Sequence, residues 1–325
     1  MKHALVTGGG GYIGSHMAHL LIESGYQVTV IDNFSTGFRE NIHAKASLIE
    51  HDLCNQQLTI NTITQCKPDI IFHFAAMSLV SESTVKPWSY IHYNTLMTQN
   101  ILEAMRSSGC QAIVYSSSCA VYGAAKTTPI REDHPLSPLS PYGESKAISE
   151  VMIKAASKEW GIKSVALRYF NVAGCGENPA LHERHEPETH LIPSLLRAVK
   201  TSQPFSLYGI NHETSDGTAI RDYIHIQDLV EAHQVAAEKL LSCTWQGWNC
   251  FNLGSGTGYS VRQVLTAVEN CTGITIQTEV FPAREGDPPK LLASDDLWYK
   301  ETGKTASKKN ISKMIQSAWR AMPNG

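Results

Sequence analysis

The chain has 325 residues, of which 42% are hydrophobic and 18% charged, and 27 Lys and Arg against 30 Asp and Glu give a formal net charge of −3. That length suits about two domains or one large α/β unit, and the apolar share excludes a disordered chain. A near-neutral surface offers no bulk attraction to nucleic acid or to an anionic membrane, so an anionic ligand must be held by a few local cations.

No segment approaches the roughly 18 consecutive apolar residues of a membrane helix. The early apolar run Ala4-Leu5-Val6 stops at Thr7 and a string of glycines, too short for a signal-peptide core. The cysteines at 54, 66, 110, 119, 175, 243, 250 and 271 show no CxxC and no metal-ligand spacing. Reduced thiols in a cytoplasmic protein are therefore expected, rather than a disulfide framework.

Short β-branched runs alternate with helical stretches through the first half. Strands are expected at 4–6, 27–31, 47–50, 69–74, 112–117 and 164–169, and helices at 13–24, 88–107 and 141–160. This alternation implies right-handed βαβ units: an α/β fold with a Rossmann-type doubly wound parallel sheet, covered on both faces. After about Asn171 the pattern loosens into Pro-, Gly- and His-rich loops. Helices are expected there at 191–200, 229–240, 261–271 and around Trp319, and strands at 249–253 and 274–278. The expected division is a dinucleotide-binding domain over 1–171 and a smaller α/β substrate-binding domain over 172–325, with segments interleaved between them.

Thr7-Gly8-Gly9-Gly10-Gly11-Tyr12-Ile13-Gly14 follows the first strand and opens the first helix. Gly8 permits a tight turn, Gly11 lets the backbone approach a pyrophosphate, and Gly14 allows close helix packing. The helix N-terminus supplies free N–H groups and a positive dipole end. Asp32 ends the second strand 18 residues past Gly14, near the interval of about 20 at which an acid reads a ribose 2′-hydroxyl. No Arg or Lys follows before Arg39, which favours NAD over NADP.

Tyr142 and Lys146 stand four apart and share one helix face, on a helix that Ser140-Pro141 would cap and start. A free Tyr titrates near about 10. Lys146, the helix dipole and a bound NAD⁺ are each expected to lower that value toward the working pH of a general base. Ser116-Ser117-Ser118 ends the fifth strand, and ligands of open α/β sheets bind at the carboxyl ends of strands, where Ser118 would hydrogen-bond the reacting hydroxyl.

Together TGGGGYIGSH (7–16), HFAA (73–76), YSSSCAVYG (115–123), SPYGESK (140–146), RYFNVAG (168–174), PETHLIP (187–193), DGTAIRDYIH (216–225), FNLGSG (251–256) and REGD (284–287) resemble the extended short-chain dehydrogenase/reductases, in particular their UDP-hexose 4-epimerase branch. The resemblance spans nearly the whole chain. It implies 4-epimerisation of UDP-glucose and UDP-galactose through a transient 4-keto sugar, with tightly bound NAD. Tyr142 would be the base, assisted by Ser118, and Lys146 would bind the nicotinamide ribose. The resemblance further places Asn33, Asp52, Leu53, Phe74, Ala75, Asn94 and Tyr169, with Tyr12 and Ile13 of the glycine turn, at the cofactor. It places Asn171, His190, Leu191, Arg221, Arg284, Asp287 and Leu291 at the UDP-sugar. It also implies a homodimer built on the two long helices.

Three features depart from the pattern. Ser78 replaces a Lys that touches the cofactor in some relatives, and the 94–98 stretch lacks a frequent Gly. Leu291 stands where strictly hexose-specific relatives carry Tyr, and the smaller side chain leaves room for a UDP-N-acetylhexosamine (UDP-GlcNAc or UDP-GalNAc). Alternative activities within the class are UDP-glucuronate 4-epimerisation and dehydration. The dehydratase needs an Asp-Glu pair where this chain has Ser118-Cys119-Ala120. A non-catalytic NAD-binding protein would not need Ser118, Tyr142 and Lys146 together. Cys119 has no matched base and reads as a buried thiol. The segment 182–190 is rich in His and Glu, but its His spacings of three and five do not match HExxH and Pro187 would break such a helix. A surface loop without metal is expected.

Overall fold

The computed structural model describes residues 1–125, 127–284 and 288–323. In chain order the elements are β1 (His3–Thr7), α1 (Tyr12–Glu23), β2 (Gln27–Asp32), β3 (Ser47–Glu50), α2 (Gln56–Cys66), β4 (Ile70–His73), α3 (Val80–Val85), α4 (Pro87–Ser108), β5 (Ala112–Ser118), α5 (Pro141–Trp160) and β6 (Lys163–Tyr169). Then come β7 (Asn171–Ala173), α6 (Leu191–Thr201), β8 (Phe205–Tyr208), β9 (Ile220–His225), α7 (Ile226–Leu241), β10 (Trp248–Leu253), β11 (Gly258–Ser260), α8 (Val261–Thr272), β12 (Thr278–Phe281), β13 (Lys290–Leu291), α9 (Asp296–Thr302) and α10 (Ile311–Ala321).

The chain divides into two compact units. Unit 1 comprises Met1–Gly123, Leu136–Arg168 and Val230–Phe251; unit 2 comprises Ala124–Pro135, Tyr169–Leu229 and Asn252–Gly325. The crossing at 168/169 falls beside the sequence boundary at 171. The segment 230–251 nevertheless folds with unit 1, because β10 adds the last strand to the large sheet, and 124–135 folds with unit 2, where Ile130 pairs with Ala293.

The sheet of unit 1 has seven strands in the order β10-β6-β5-β4-β1-β2-β3, the doubly wound arrangement with its reversal beside β1. β1 runs parallel to β2 and β4, β2 to β3, and β4 to β5. Its strands are near-continuous apolar runs because both faces are covered. Leu5, Ile31, Ile71 and Ile113 pack with Ile63 of α2, Ile101 and Met105 of α4, and Ile153 of α5, all fully buried. Each such side chain contributes about 1.5–3 kcal/mol of burial. Between α4 and α5 the apolar contact gives way to small polar pairs: Thr98 Oγ1 donates to Ser149 Oγ at 3.0 Å and Asn94 Nδ2 to Ser145 Oγ at 2.9 Å.

Unit 2 is built on a small sheet around β9. Its first residues pair with β13 (Leu291 beside Arg221), its last with β7 (Asn171 beside Tyr223), and its other edge with β11. The core of this unit joins Tyr223 and Ala173 to Leu195 and Leu196 of α6, Val264 and Val268 of α8, and Met314 and Ile315 of α10.

Two expectations shift. The strand expected at 274–278 is β12, Thr278–Phe281, paired with β8. Its expected beginning is tied instead to α8, since Ile276 N donates to Glu269 Oε1 (2.9 Å) and Ile274 N to Thr272 Oγ1 (3.4 Å). Helix α2 had no sequence forecast. Asn55 caps it by accepting from Leu58 N, yet its buried face is Thr59, Thr62 and Ile63, so threonines hide the apolar period.

Candidate cofactor and catalytic site

Glycines 8–14 turn sharply between β1 and α1. Gly8 adopts φ +72°, and a Cβ there would stand 2.7 Å from Ala75 N. A Cβ on Gly14 would stand 2.2 Å from Gly8 O. Only glycine permits either approach. Tyr12 and Ile13 form the first turn of α1, which begins at Gly11 with no side-chain cap and no acidic residue in that turn. A helix start of this kind suits an anion.

Asp32, at the end of β2, accepts from Gly10 N at Oδ2 and from Phe34 N at Oδ1, both at 2.8 Å. A carboxylate has about four acceptor positions, so Asp32 shapes the glycine turn and keeps capacity for a ribose. Asn33 is exposed and accepts from Ser35 N. Asp52 is exposed and accepts from Cys54 N, and the buried Leu53 presents its carbonyl to Asn100 Nδ2 at 2.8 Å. Phe74 and Ala75 follow β4, half-buried, with the Phe74 ring 5.0 Å from His233.

Asn94 is buried, and its amide is engaged with protein. Its Oδ1 accepts from Met77 N (2.8 Å), and its Nδ2 donates to Met77 O (3.0 Å) and to Ser145 Oγ. It pins the loop after Phe74 and Ala75 to α5.

The Tyr142–Lys146 pair sits on α5, whose cap is Ser140 accepting from Gly143 N at 3.1 Å, with Pro141 in the first turn. Tyr142 is half-buried, and the Ser118 side chain at the end of β5 acts to lower the pKa of its phenol. Lys146 is 2% exposed, donates to Ser116 O at 2.8 Å, and lies 5.0 Å over the Tyr115 ring and 5.8 Å over that of Tyr142.

Without cofactor, burial pushes the Tyr142 phenol up to about 12, against the Ser118 side chain that lowers it, and the same desolvation pushes the Lys146 ammonium down to about 7. The expected lowering of Tyr142 includes the positive charge of a bound NAD⁺ and concerns the loaded site.

Sequence reasoning missed the network behind this pair. Glu150, one turn beyond Lys146, accepts from Ser117 Oγ (2.5 Å), Arg168 Nε (2.9 Å) and Arg168 Nη2 (2.5 Å), and Arg168 Nη1 donates to Tyr122 Oη (2.9 Å). Glu150 opposes the desolvation of Lys146. Ser117 and Arg168 lie inside quoted motifs, but no local spacing links them to position 150.

In unit 2, Asn171 Nδ2 donates to Asp222 O at 3.1 Å, Arg221 Nη1 to Ile220 O at 2.8 Å, and Leu291 stands half-buried beside Arg221. Arg284 is exposed, with its guanidinium 4.5 Å from the Tyr208 ring centroid, and Phe281 stacks on Tyr208 at 5.4 Å. A cleft of about 460 Å³ opens beside them, bounded by Gly209, His212, Phe281 and Ala283. Tyr208 and Phe281 carried no motif signal. Asp287 lies outside the described residues. Tyr169 is buried at the end of β6. Leu191 begins α6, and His190, just before it, turns its Nδ1 to Glu188 (3.1 Å) and Glu183 (3.3 Å). Asp222, also missed, is fully buried and accepts from Ser255 N and Oγ, Gly256 N and Ala293 N, which fixes the FNLGSG turn.

A Rossmann-type sheet with a glycine cradle at β1 and a Tyr–Lys pair facing a strand-end serine defines a dinucleotide-binding α/β enzyme. The chain belongs to the NAD dependent epimerase/dehydratase family, whose model matches residues 4–244. It is 42% identical over 316 residues to the UDP-glucose 4-epimerase of Corynebacterium glutamicum, covering 97% of this chain and 94% of that one. The crystal structure of UDP-glucose 4-epimerase from Brucella ovis in complex with NAD superposes with a TM-score of 0.93 at 37% identity, covering 98% of each chain. That of the Bifidobacterium longum enzyme in complex with NAD+ and UDP gives 0.92 at 31% identity, again over 98% of each. Among the described residues no helix is long and apolar enough to cross a membrane.

Proposed function

We propose that the protein interconverts UDP-glucose and UDP-galactose by inverting C4 of the hexose. The observation that carries the reading is Lys146, buried and held on Ser116 O one turn from Tyr142, beside the strand end of β5 in the sheet that also carries the glycine cradle. The cradle fits a dinucleotide, because Cβ atoms at Gly8 and Gly14 would collide with backbone and α1 starts uncapped. Gly8, Gly11, Tyr12, Ile13 and Gly14 hold its phosphates and Asp32 a ribose, while Asp52, Leu53, Phe74, Ala75 and Tyr169 wall it. Bound NAD⁺ supplies the hydride acceptor and a positive ring that favours the Tyr142 phenolate. Tyr142 takes the O4 proton and later returns it; Ser118 holds that oxygen in line, and Lys146 positions the nicotinamide ribose. Of the cations in unit 2, Arg221 and Arg284 suit the diphosphate, since the guanidinium fork matches phosphate oxygens. The Tyr208 face suits the uracil ring.

A UDP-N-acetylhexosamine is a second substrate we infer, because Leu291, a side chain smaller than Tyr, stands next to Arg221. We further propose a homodimer in the cytoplasm. Trp88 on α4 and Val151 on α5 are 74% and 65% exposed, and exposed apolar side chains on these two helices suit contacts with a second copy. All eight cysteines are free, as a reducing compartment favours.

The test is incubation of the purified protein with UDP-glucose, UDP-GlcNAc and UDP-glucuronate, with products resolved chromatographically and by mass. UDP-galactose of unchanged mass is expected. Loss of water would assign a dehydratase instead.

A further inference from the structure

One cluster of ligating side chains shares only His190 with the substrate-side expectations. It lies in unit 2 on residues 183–190, ahead of α6. Glu183, His185 and His190 each bring one ligand atom to within 4.8 Å of the others. His190 Nδ1 lies 3.3 Å from Glu183 Oε1 and 3.1 Å from Glu188 Oε1. His185 Nδ1 lies 3.9 Å from Glu183 Oε1 and 3.5 Å from Glu188 Oε2. An ion held tetrahedrally at about 2.0–2.2 Å from N and O donors separates neighbouring donors by roughly 3.3–3.6 Å. The two separations between proposed ligands, 3.3 and 3.9 Å to Glu183 Oε1, lie at and just above that edge.

Burial and charge support the same reading. The side chains of Glu183 and Glu188 are only 9% and 6% exposed, so two carboxylates have left bulk water on one loop, which requires a compensating cation. His185 Nδ1 is shielded from solvent and makes no hydrogen bond of good geometry. Glu188 has a separate task. It accepts from the backbone N–H groups of His185, Thr189 and His190, at 3.2, 2.9 and 2.8 Å, and so folds the loop that presents the other three.

We propose that Glu183, His185 and His190 bind one divalent transition-metal ion, with Glu188 shaping the loop around it. Mixed imidazole and carboxylate donors without thiolate suit Zn²⁺, Co²⁺ or Ni²⁺ rather than Mg²⁺ or Ca²⁺. The ion ties 183–190 to the start of α6. The site stands apart from Tyr142 and Lys146 in sequence and chemistry, and the proposal does not depend on the reaction.

The experiment uses the full chain, stripped with a chelator and titrated calorimetrically with Zn²⁺. One saturable equivalent is expected, with a rise in Tm. Glu183→Gln and His185→Asn are each expected to weaken Zn²⁺ binding by about 100-fold or more, since even outer-shell losses cost 10–100-fold. His43→Gln serves as the control, because His19 and His43 form another close pair, with centroids 4.6 Å apart; it keeps full affinity. Circular dichroism of the metal-free variants checks that they fold. If they do not, the Co²⁺ spectrum of the unmodified chain decides, with the intense visible bands of four- or five-coordination expected. The absence of a saturable equivalent, unchanged affinity in the folded variants, or a spectrum like that of the hexaaquo ion would overturn the proposal.

Discussion

In unit 1 the side chains assigned to cofactor and chemistry stand at strand ends or in the first two turns of a helix: Gly8 after β1, Asp32 closing β2, Ser118 closing β5, and Tyr142 and Lys146 on α5. In unit 2 the corresponding residues are scattered. Arg221 and Leu291 lie on two strands of a small sheet, Arg284 lies just beyond β12, and His190 lies on a loop. The contrast has a physical origin. A parallel sheet delivers its strand ends to one edge, so groups far apart in sequence converge without local devices. A small sheet flanked by loops has no such edge, and each position must be fixed by its own contacts, as Asp222 fixes residues 255 and 256 and Glu188 fixes 185–190.

The sharpest probe of unit 1 is removal of the phenolic hydroxyl. Tyr142→Phe is expected to lower kcat by about 10²–10⁴-fold, the range for a lost general base, while NAD still copurifies with the protein. Steady-state rates and the absorbance of the bound cofactor check both parts. A variant with normal turnover would remove Tyr142 from the mechanism and dissolve the functional contrast between the units. Next in size is Glu150→Ala. It strands Arg168 without its carboxylate in the buried network, and breaking a buried pair costs about 3–5 kcal/mol. Denaturant unfolding measures this. A loss within the range of surface substitutions would show that the network is decoration.

What could be read in advance follows the same division. Seven of the unit 1 positions (Gly8, Gly11, Gly14, Asp32, Ser118, Tyr142 and Lys146) were legible because each sits in a short motif whose spacing implies its geometry. Glu150 was not, since its partners Ser117 and Arg168 are 33 and 18 residues away and only the fold brings them together. In unit 2, Tyr208 gained meaning only when Arg284 was found over its ring. The His- and Glu-rich loop lacks helical ligand spacing, and a loop held by backbone hydrogen bonds can gather side chains without it. For Tyr142 the sequence shows charged neighbours and not the desolvation that raises its pKa in the chain without cofactor.

Desolvation makes a further difference between the units measurable. The Lys146 ammonium sits at about 7 in the folded chain, against an ordinary 10.5. Between those values the unfolded chain binds the proton and the folded chain does not, so stability without cofactor rises with pH across that window. Below pH 7 both states are protonated and the full penalty is present. Lys146→Met is therefore expected to raise Tm at pH 7 and to flatten the rise from pH 7 to 10, while turnover falls. Thermal unfolding against pH reads both effects. An unchanged pH slope would show that Lys146 keeps its charge on burial.

The smallest effect belongs to unit 2. Leu291 pairs with Arg221 in the small sheet and is half-buried, so a larger side chain there meets solvent and ligand rather than a packed core. Leu291→Tyr should therefore fold normally and leave turnover of UDP-glucose within about twofold. Its expected effect is on UDP-GlcNAc, whose kcat/KM should fall by roughly 10–200-fold, the range a hydrophobic wall can impose on one added group. Equal loss on both substrates would mean that the new ring disturbs Arg221 and the diphosphate rather than the sugar. Unchanged turnover of both would mean that the wall near C2 is formed by other residues. Either result would remove Leu291 from specificity, leaving unit 2 with Tyr169 at the cofactor and Arg221 and Arg284 at the diphosphate as its proposed roles in catalysis.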